Sequence, residues 1–320
     1  MREIGVCVGF MNGSYRRTIT EAAARLGFSV TFHDSEKGLA GEIEQYEVLF
    51  GHPAPDLLKK ADKLRWLCSD FAGVEKYLPE EIWPRPDCLL SNASGAYGTT
   101  ISEHIVMVLL MLLRRMPEYQ QALSRREWPC FSPIRSIAGS HMALLGTGDI
   151  GTQTARRLKA LGAGVTGVCR TGRAEDPAFD LVLPVEELDR VLPEADALIM
   201  ALPATAETEG ILSRQRIGLL PERALVVNVG RGSAIDQEAL VEALQTGRLA
   251  GAALDVMTPE PLPGDHPLWS CPNVILTPHV SGNMSLERTC AMDVEMFCRD
   301  LERYAGGLLP EHLVDRVRGY

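Results

Sequence analysis

The chain has 320 residues and a formal net charge of −10 at pH 7, with 46% apolar and 23% charged residues. This composition is ordinary for a globular protein, and the negative charge argues against a nucleic-acid or anionic-membrane partner, because both bind clusters of basic residues. Two domains are expected, since one hydrophobic core seldom extends over so long a chain.

Cysteine usage and apolar runs bear on the cellular compartment. Eight cysteines occur without any Cys-x-x-Cys pair, which indicates free thiols in a reducing compartment rather than disulfides or a zinc site. The longest apolar run, residues 105–113, is too short to span a bilayer, and the first residues are too short and interrupted for a signal peptide. We therefore expect a cytoplasmic protein with no membrane partner.

The first hundred residues alternate short apolar runs with helical patterns, which is typical of an α/β domain with parallel strands. A helix is predicted over residues 14–26, ended by Gly27. Strands are predicted at residues 4–8, 29–32, 47–50, 64–68 and 88–90. This part of the chain therefore predicts a first, open α/β unit.

A long helix follows, and after it a second α/β series begins. Thr100 and Glu103 form a capping-box pattern before the apolar run, and Pro117 is predicted to end this helix. Strands are then predicted at residues 142–145, 164–169, 197–201, 224–229, 251–256 and 274–277. Six strands with intervening helices match a complete dinucleotide-binding sheet.

The last predicted helix, residues 284–304, has one apolar stripe and is ended by Gly306 and Gly307. The stripe consists of Cys290, Val294, Phe297, Leu301 and Tyr304. We expect this helix to return to the first domain. The predicted fold is therefore α/β, with two doubly wound parallel-sheet domains. These are a Rossmann domain over residues 100–282 and a smaller, flavodoxin-like domain over residues 1–99 and 283–320.

A glycine-rich loop follows the first strand of the second series, in the order Gly146-Thr147-Gly148-Asp149-Ile150-Gly151. In a dinucleotide site the first glycine allows a tight turn, the second lets the backbone approach the pyrophosphate, and the third lets helix and strand pack closely. The free N–H groups of the following helix favour phosphate. We assign Gly146, Gly148, Asp149, Ile150 and Gly151 to cofactor binding.

The residues after the next strand indicate which dinucleotide is preferred. A site for NAD would place an acid there, to bind the ribose 2′-hydroxyl. This chain has Arg170 and Arg173 instead, and its first acids are Glu175 and Asp176. Two guanidinium groups would pair with a 2′-phosphate, so we predict NADP over NAD. The alternative is a pair of solvated loop arginines.

Three later strands of this series are each followed by a functional side chain. Arg231, Glu260 and His279 come just past the ends of three predicted strands. Ligands of doubly wound sheets bind at the carboxyl ends of strands, so we expect a cation, a carboxylate and an imidazole along one edge. Taken singly, each could be a loop or capping residue.

These segments together resemble the D-2-hydroxyacid dehydrogenase family, which includes glyoxylate/hydroxypyruvate reductases and phosphoglycerate dehydrogenases. The resemblance covers almost the whole chain. It implies a split substrate domain, a central cofactor domain, a homodimer built on the cofactor domain, and cofactor contacts from Leu202, Pro203 and Asp255. The motifs that carry it are the loop at Gly146, Leu202-Pro203, Asn228 to Gly232, Asp255 with Glu260, His266 to Trp269, and Thr277 to His279.

The implied reaction is reversible hydride transfer between NADP(H) and a small 2-keto acid or D-2-hydroxy acid. Reduction of the keto acid needs a proton for the carbonyl oxygen and a cation for the carboxylate. Histidine suits the first task because its pKa is ordinarily about 6.5, and arginine suits the second by its bidentate geometry. We therefore predict His279 as acid/base, Glu260 as the residue that orients it, and Arg231 as the substrate clamp.

On the substrate side, the family resemblance implies that backbone N–H groups of Ala72 and Gly73 meet the carboxylate, where small side chains allow close approach. Tyr97 is predicted to contact the substrate as a wall of its pocket. Further wall candidates are Phe71, Met284 and Trp128, the last from its own chain or from a partner subunit. The alternative for these aromatic residues is simple burial at the domain boundary.

Two other functions compete with this one, and metal binding is not expected. The histidines outside the predicted triad share no metal-ligand spacing, and His104 falls within the long helix, where packing is the better interpretation. A dinucleotide-sensing regulator on the same fold, similar to the related corepressors, is the alternative function, although the chain lacks a basic DNA-facing run. Formate oxidation fits less well, because formate needs neither a side-chain pocket nor an acid/base.

Overall fold

In a computed structural model, which describes residues 2–174 and 176–320, the chain divides into two units. The first contains residues 1–97 and 283–320, and the second contains residues 98–282. The first boundary therefore lies two residues earlier than the sequence-based bound at 99/100, and the second coincides with the bound at 282/283. Within the described residues, no helix is long and apolar enough to cross a membrane.

The strands of the described residues are β1 (Arg2–Cys7), β2 (Phe28–Phe32), β3 (Val48–Gly51), β4 (Trp66–Cys68), β5 (Leu89–Ser91), β6 (His141–Leu145), β7 (Gly164–Cys169), β8 (Leu181–Pro184), β9 (Ala197–Met200), β10 (Leu225–Asn228), β11 (Gly251–Leu254) and β12 (Val274–Leu276). The α-helices are α1 (Gly13–Arg25), α2 (Glu36–Ala40), α3 (Pro55–Leu58), α4 (Gly98–Leu113), α5 (Met116–Ser124), α6 (Asp149–Ala160), α7 (Leu188–Val191), α8 (Arg214–Leu219), α9 (Gln237–Gln245) and α10 (Glu287–Ala305).

The first unit is built on a five-stranded parallel sheet in the order β2-β1-β3-β4-β5. This is the flavodoxin-like order. Strand β2 is added on one side of β1, and β3, β4 and β5 follow on the other side, so the direction in which strands are added reverses between β1 and β3. The sheet has an apolar layer on each face, which explains why its strands are nearly continuous apolar runs. Helix α10 packs against α1, and its Phe297 ring stacks on Phe50 at 4.4 Å between centroids.

The second unit is built on a seven-stranded parallel sheet in the order β12-β11-β10-β9-β6-β7-β8. This is the Rossmann order with one added strand, and the order reverses between β6 and β9. The carboxyl ends of β6, β7 and β9 to β12 therefore lie along one edge. Both sheets confirm the predicted fold class, with two doubly wound parallel sheets.

The predicted bounds of helices α4 and α10 are wrong. Helix α4 begins at Gly98, not after a cap at Thr100, because its first turn packs with α6. It ends at Leu113, and Pro117 lies instead in the first turn of α5, where a missing N–H costs nothing. Helix α10 begins three residues later than predicted, because Asn283 bonds the N–H of Ser285 in a turn.

One strand was not predicted. Residues Leu181–Pro184 form β8, which pairs with β7 at the end of the larger sheet and makes seven strands instead of six. Half of the Leu181 side chain is exposed, and proline ends the run. An edge strand of this kind has neither the length nor the apolar pattern of the buried strands, which is why the sequence does not reveal it.

Candidate active site

The glycine loop lies between β6 and α6, at the point where the larger sheet reverses its order. Gly146 has a φ of +109°, and a Cβ there would lie 2.6 Å from the carbonyl oxygen of Ala201. A Cβ at Gly151 would overlap the carbonyl oxygen of Gly146. Gly148 is exposed, with nothing within 4 Å of a Cβ, and it caps α6 without a side-chain hydrogen bond.

This arrangement fits the pyrophosphate of a dinucleotide. The first and third glycines are needed for the fold of the loop, whereas the second leaves open space beside the N-terminus of a 12-residue helix. The carboxylate of Asp149 lies against Gly98, at the beginning of α4. Asp149 is therefore placed to contribute its backbone N–H, rather than its carboxylate, to a bound phosphate.

The turn after β7 holds the two arginines predicted to select the dinucleotide. Arg170 and Arg173 are both exposed. The Cys169 thiol and the Thr171 hydroxyl both lie within hydrogen-bond distance of the Arg173 carbonyl oxygen, at 3.6 and 3.4 Å. Burial raises the pKa of the Cys169 thiol, but hydrogen bonding with the Thr147 and Thr171 side chains and with the backbone of residues 171 and 173 outweighs that effect, so the net pKa is lowered. These contacts define one compact turn beside the glycine loop.

The first described acid after β7 is already bound. Asp176 accepts two hydrogen bonds from the Arg156 guanidinium, at 2.6 and 3.0 Å, and one from the N–H of Ala178. The Arg156 hydrogen bond is the main reason that the pKa of Asp176 is lowered. Glu175, the other early acid, lies outside the described residues. The charge of Arg170 also helps to lower the pKa of Glu207, which lies in the segment after β9.

The segment after β9, with Leu202 and Pro203, lies next to the glycine loop. A Cβ at Gly230 would come within 2.6 Å of the Leu202 backbone, and the Gly146 turn lies against Ala201. The Thr208 hydroxyl donates to the Pro203 carbonyl oxygen at 2.7 Å, which holds this segment in place. Leu202 and Pro203 are thus brought to the same edge as the glycine loop.

Arg231 follows β10, and a buried asparagine holds its loop. Asn228 is 1% exposed. Its Nδ2 donates to the Arg231 carbonyl oxygen at 2.8 Å, and its Oδ1 accepts from the N–H of Gly230 at 3.1 Å. The guanidinium of Arg231 donates to the Gly230 carbonyl oxygen at 2.8 Å. Asn228 therefore fixes the backbone that carries the arginine, a role that its position in the motif does not reveal.

His279 follows β12 and pairs with Glu260, which follows the neighbouring β11. The distance between His279 Nδ1 and a Glu260 carboxylate oxygen is 2.8 Å. The other carboxylate oxygen accepts from the N–H of Met257 at 3.0 Å. Gln237 supports the same loop, because its amide bonds both the N–H and the carbonyl oxygen of Thr258. Since Nδ1 faces the carboxylate, Nε2 is the nitrogen through which His279 can donate a proton.

The backbone at His279 adopts an unusual conformation. Its φ is +55°, in the left-handed region that residues other than glycine rarely occupy. Its N–H donates to the Asp255 carbonyl oxygen at 2.8 Å. The Asp255 carboxylate accepts from the Thr277 hydroxyl at 2.6 Å, and from the N–H groups of Val280 and Ser281 at 2.9 and 3.0 Å. Asp255 thus holds both sides of the histidine turn.

Asp255 is almost fully buried, at 1% exposure. Burial raises the pKa of its carboxyl, but the hydrogen bonds from Ser281, Thr277 and the Val280 backbone outweigh that effect, so the net pKa is lowered. The predicted cofactor contact of Asp255 stays a prediction. The geometry adds a positioning role for Asp255. Its carboxylate holds the loop that carries His279 and does not contact a reacting atom.

The predicted substrate residues of the first unit also lie together, in the loop after β4. The carbonyl oxygens of Asp70 and Ala72 accept hydrogen bonds from the Tyr97 hydroxyl and from the Asn92 amide, both at 2.8 Å. Within the described residues, the N–H groups of Ala72 and Gly73 make no hydrogen bond. Tyr97 is 5% exposed, so its hydroxyl supports the loop instead of pointing into solvent.

Two of the remaining histidines, His104 and His312, have surroundings that bear on the sequence-based predictions. Burial lowers the pKa of His104 within α4, although the charge of Asp255 opposes it, and this agrees with the packing interpretation. His312 Nδ1 lies 3.6 Å from the carboxylate of Asp300, a partner that was not predicted. Among the described residues, Asp300, Glu311 and His312 have ligand atoms within 4.8 Å of one another, so the expected absence of a metal stays a prediction.

Comparison with known proteins identifies the family. Residues 106–281, more than half of the chain, match the NAD binding domain of D-isomer specific 2-hydroxyacid dehydrogenases. The chain belongs to this family. It is therefore an oxidoreductase that acts on the CH–OH group of donors with a nicotinamide cofactor, and the resemblance found in its motifs is confirmed.

Relatives of this dehydrogenase match it over most of their length. Glyoxylate/hydroxypyruvate reductase A of Yersinia enterocolitica is 30% identical over 85% of this chain and 87% of its own. A D-isomer specific 2-hydroxyacid dehydrogenase family protein from Aeromonas salmonicida has a structure with a TM-score of 0.86 and 33% identity, covering 99% of this chain and all of its own. An NADPH-dependent glyoxylate/hydroxypyruvate reductase from Sinorhizobium meliloti, in complex with NADP and sulfate, has a TM-score of 0.80 and 28% identity, with full coverage of both chains.

Replacing Asp255 by asparagine is expected to destabilise this dehydrogenase and to lower its kcat, because the amide NH2 would face backbone N–H donors. The loss of a buried acceptor costs about 1–3 kcal/mol in the free energy of unfolding. Since the folded-state pKa is lowered, the benefit of the carboxylate is full at neutral pH and is lost as the pH falls below about 4. Denaturant titrations at pH 7 and in acid test this. A stability gap between the two proteins that is the same at both pH values would contradict it.

Proposed function

We propose that this dehydrogenase transfers hydride reversibly between NADP(H) and a small 2-keto acid, with glyoxylate or hydroxypyruvate as the first candidates and the D-2-hydroxy acid as product. The observation that carries the proposal is the 2.8 Å pair of His279 and Glu260, one strand end away from Arg231 on the sheet that holds the glycine loop. The names of the Yersinia and Sinorhizobium relatives support the choice of substrates.

His279 and Glu260 are proposed to transfer the proton that the reaction requires. When bound, the nicotinamide supplies the hydride to C2 of the keto acid. His279 donates a proton from Nε2 to the carbonyl oxygen, and it recovers the proton in the reverse direction. Glu260 accepts from Nδ1, which orients the ring so that Nε2 is the nitrogen available for proton transfer. These two side chains thus make the acid that the reaction requires.

Arg231 is proposed to bind the substrate carboxylate and to polarise the carbonyl group. Its planar guanidinium can donate two parallel hydrogen bonds to a carboxylate. The hydrogen bond from Asn228 to the Arg231 carbonyl oxygen fixes the backbone of the arginine before substrate binds. We assign a second set of carboxylate contacts to the N–H groups of Ala72 and Gly73. Their lack of partners among the described residues supports this assignment, since unpaired N–H groups next to small side chains suit an anion. Tyr97 is assigned to the support of that loop.

The cofactor is proposed to be NADP, with NAD as the weaker alternative. Arg170 and Arg173 are exposed at the end of β7, where a ribose 2′-phosphate would lie, and Asp176 is occupied by Arg156. The pyrophosphate is assigned to the backbone of Gly146, Gly148, Asp149, Ile150 and Gly151, and the nicotinamide half to the region of Leu202, Pro203 and Asp255. The NADP bound to the Sinorhizobium enzyme supports this choice.

Replacing Arg170 by aspartate is expected to raise the KM for NADPH about 10- to 150-fold and to change that for NADH little. The reason is that a hydrogen bond to a charged group contributes about 1.5–3 kcal/mol, and the new carboxylate would repel the 2′-phosphate. Steady-state kinetics with both cofactors measure the effect. Arg190→Asp, an exposed change of equal charge on α7, is the control. Equal changes of both KM values in Arg170→Asp would contradict the NADP assignment.

A homodimer built on the cofactor domain is also proposed. Exposed apolar side chains gather on α4, on α5 and on the segment that follows, and the exposed fraction of Trp128 is 93%. Patches of this kind mark protein interfaces. The others are Met107, Leu110, Met116, Leu123 and Ile134. The free state of all eight cysteines agrees with the expected cytoplasmic location, which stays a prediction.

Replacing Leu110 by glutamate is expected to convert the dimer to a monomer, because it would bury a charge in an apolar contact. Light scattering after size-exclusion chromatography gives the molar mass. Leu181→Glu, at a side chain of similar exposure on the edge strand β8, is the matched control and should leave the mass unchanged. A dimer that persists in Leu110→Glu, or a wild-type monomer, would refute this interface.

The experiment that tests the function is a screen for NADPH oxidation by the purified full chain. Glyoxylate, hydroxypyruvate, pyruvate, 2-ketoisocaproate and phenylpyruvate are offered separately, and NADH is tested in parallel. We expect turnover with the first two and weaker turnover with the bulky keto acids. Turnover with none of them would overturn the proposal and favour the dinucleotide-sensing alternative.

A further inference from the structure

A half-buried histidine, His52, lies beside the loop of residues 69–73, which carries the N–H groups assigned above to the substrate carboxylate. His52 directly follows β3, and the loop directly follows β4, the neighbour of β3 in the smaller sheet. Both therefore lie at the carboxyl edge of this sheet, and β3 borders the point where the strand order reverses. Ligands of open α/β sheets bind at such an edge.

The backbone before His52 and the ring beside it fix the position of the imidazole. Gly51 has a φ of +145°, and a Cβ there would overlap the carbonyl oxygen of Cys7, so glycine is needed where the chain leaves the sheet. The His52 ring lies 4.5 Å between centroids from the ring of Phe71. The imidazole is therefore packed against the residue that directly precedes Ala72.

The hydrogen bonds of Ser69 determine which nitrogen of His52 carries the proton. Ser69 is fully buried, and its hydroxyl oxygen accepts from the N–H of Phe71 at 3.2 Å. The same hydroxyl lies 3.3 Å from His52 Nδ1, and among the described residues this nitrogen is the only acceptor for its proton. A buried O–H without an acceptor is costly, so the hydroxyl donates to Nδ1 and the proton of the neutral ring is on Nε2.

The His52 ring is neutral at physiological pH. Burial is the main reason that its pKa is lowered to about 4, and the charge of Lys76 acts in the same direction. The charges of Glu36 and Glu75 oppose this shift without reversing it. The Lys76 ammonium donates to the His52 carbonyl oxygen at 3.3 Å, which places a positive charge near the ring. His52 therefore presents a neutral N–H donor.

The Nε2 of His52 is open to a ligand. Within the described residues it makes no hydrogen bond, and it is not one of the polar atoms that are both fully buried and unpaired. The neighbouring Phe71 side chain is 45% exposed. An accessible N–H donor and an apolar ring thus lie together beside the N–H groups of Ala72 and Gly73.

The polar groups of the candidate substrates indicate what this donor binds. In the proposed function, on which the role of His52 rests, Arg231 and the loop N–H groups bind the carboxylate, and His279 protonates the C2 carbonyl oxygen. Glyoxylate has no other polar group, whereas hydroxypyruvate also has a hydroxyl group at C3. A hydroxyl oxygen is a suitable acceptor for a neutral imidazole N–H.

We propose that His52 selects hydroxypyruvate, and other 2-keto acids with an oxygen at C3, by donating a hydrogen bond from Nε2 to that oxygen. The exposed ring of Phe71 is the wall against C3 itself. Pyruvate has a methyl group in place of the hydroxymethyl group, so it leaves the Nε2–H unpaired. A site built to bond a substrate hydroxyl discriminates against the analogue that lacks it.

Steady-state kinetics with hydroxypyruvate, pyruvate and glyoxylate at saturating NADPH test this role in two variants. His52→Asn can still accept from the Ser69 hydroxyl but loses the Nε2 donor. The ratio of kcat/KM for hydroxypyruvate to that for pyruvate should therefore fall about 5- to 150-fold. His52→Gln can place an amide N–H near the position of Nε2 and should retain more of the preference. Since the ratio compares two substrates on one preparation, partial loss of folded protein does not change it.

His33 provides the matched control. It follows β2, two strands away from β3, and its Nε2 lies 2.7 Å from the Tyr46 hydroxyl. His33→Asn should leave the ratio unchanged.

The outcomes separate the role of His52 from the proposed function. An unchanged ratio in His52→Asn would overturn the role, and so would an equal fall for all three keto acids, because His52 would then support only the loop or the common carboxylate. A wild type that reduces glyoxylate but does not prefer hydroxypyruvate to pyruvate would also refute it, while the proposed function stands. Turnover of no keto acid by the wild type would refute the proposed function itself.

Discussion

Replacement of His279 by alanine is expected to lower kcat by about two to four orders of magnitude, which is the usual contribution of a positioned general acid. The imidazole is the group whose free nitrogen can supply the proton, since Nδ1 is engaged 2.8 Å from Glu260. Binding of NADPH, measured by fluorescence titration, should be nearly unchanged, because the glycine loop and the β7 turn do not involve His279.

The Glu260 variant separates orientation from proton donation. Glu260→Gln keeps a hydrogen-bond acceptor for Nδ1 and leaves the imidazole in place, so its kcat should fall less than that of His279→Ala. A near-normal kcat in His279→Ala would end the assignment of this residue as the acid.

Replacement of Arg231 by glutamine is expected to lower kcat/KM for the keto acid by about 10- to 150-fold or more. A charge-assisted hydrogen bond contributes about 1.5–3 kcal/mol, and a bidentate clamp makes two of them. Arg231→Lys keeps the charge without the fork, so its activity should fall between those of the wild type and Arg231→Gln. The loss should appear with every 2-keto acid, since the carboxylate is common to all.

A matched measurement distinguishes binding from collapse of the loop. Asn228→Ala removes one hydrogen bond to the Arg231 carbonyl oxygen and one from the N–H of Gly230, but it leaves the Arg231 guanidinium in the protein. We expect it to raise the KM for the keto acid while the KM for NADPH stays close to normal. If Arg231→Gln leaves kcat/KM for glyoxylate unchanged, or if it weakens NADPH binding instead, the clamp assignment is wrong.

The order and type of the strands were predictable because buried parallel strands are short, continuous apolar runs. Strand β7 has the bounds that its pattern predicts, residues 164–169. Strand β8 was missed because an exposed edge run ending in Pro184 lacks that pattern. The beginning of α4 was misplaced because packing against α6 extends the helix past its local capping signal at Thr100.

Arg231, Glu260 and His279 were predictable, because the reaction needs a cation, a carboxylate and an imidazole and because each residue follows a predicted strand. The residues that hold them were not. The Asp255 carboxylate bonds a loop more than 20 positions away, and the Tyr97 hydroxyl bonds a carbonyl oxygen 27 positions away. Contacts of this kind depend on the path of each loop, which local periodicity does not encode.

The measurement that tests the central claim most directly is the transfer of isotope from cofactor to substrate. The full chain is incubated with glyoxylate and with NADPH that carries deuterium at the transferred position of the nicotinamide ring, and the product is analysed by mass spectrometry. The account predicts glycolate with one deuterium at C2, formed far more slowly by His279→Ala. Unlabelled product, or no product from any small 2-keto acid with either cofactor, would contradict it.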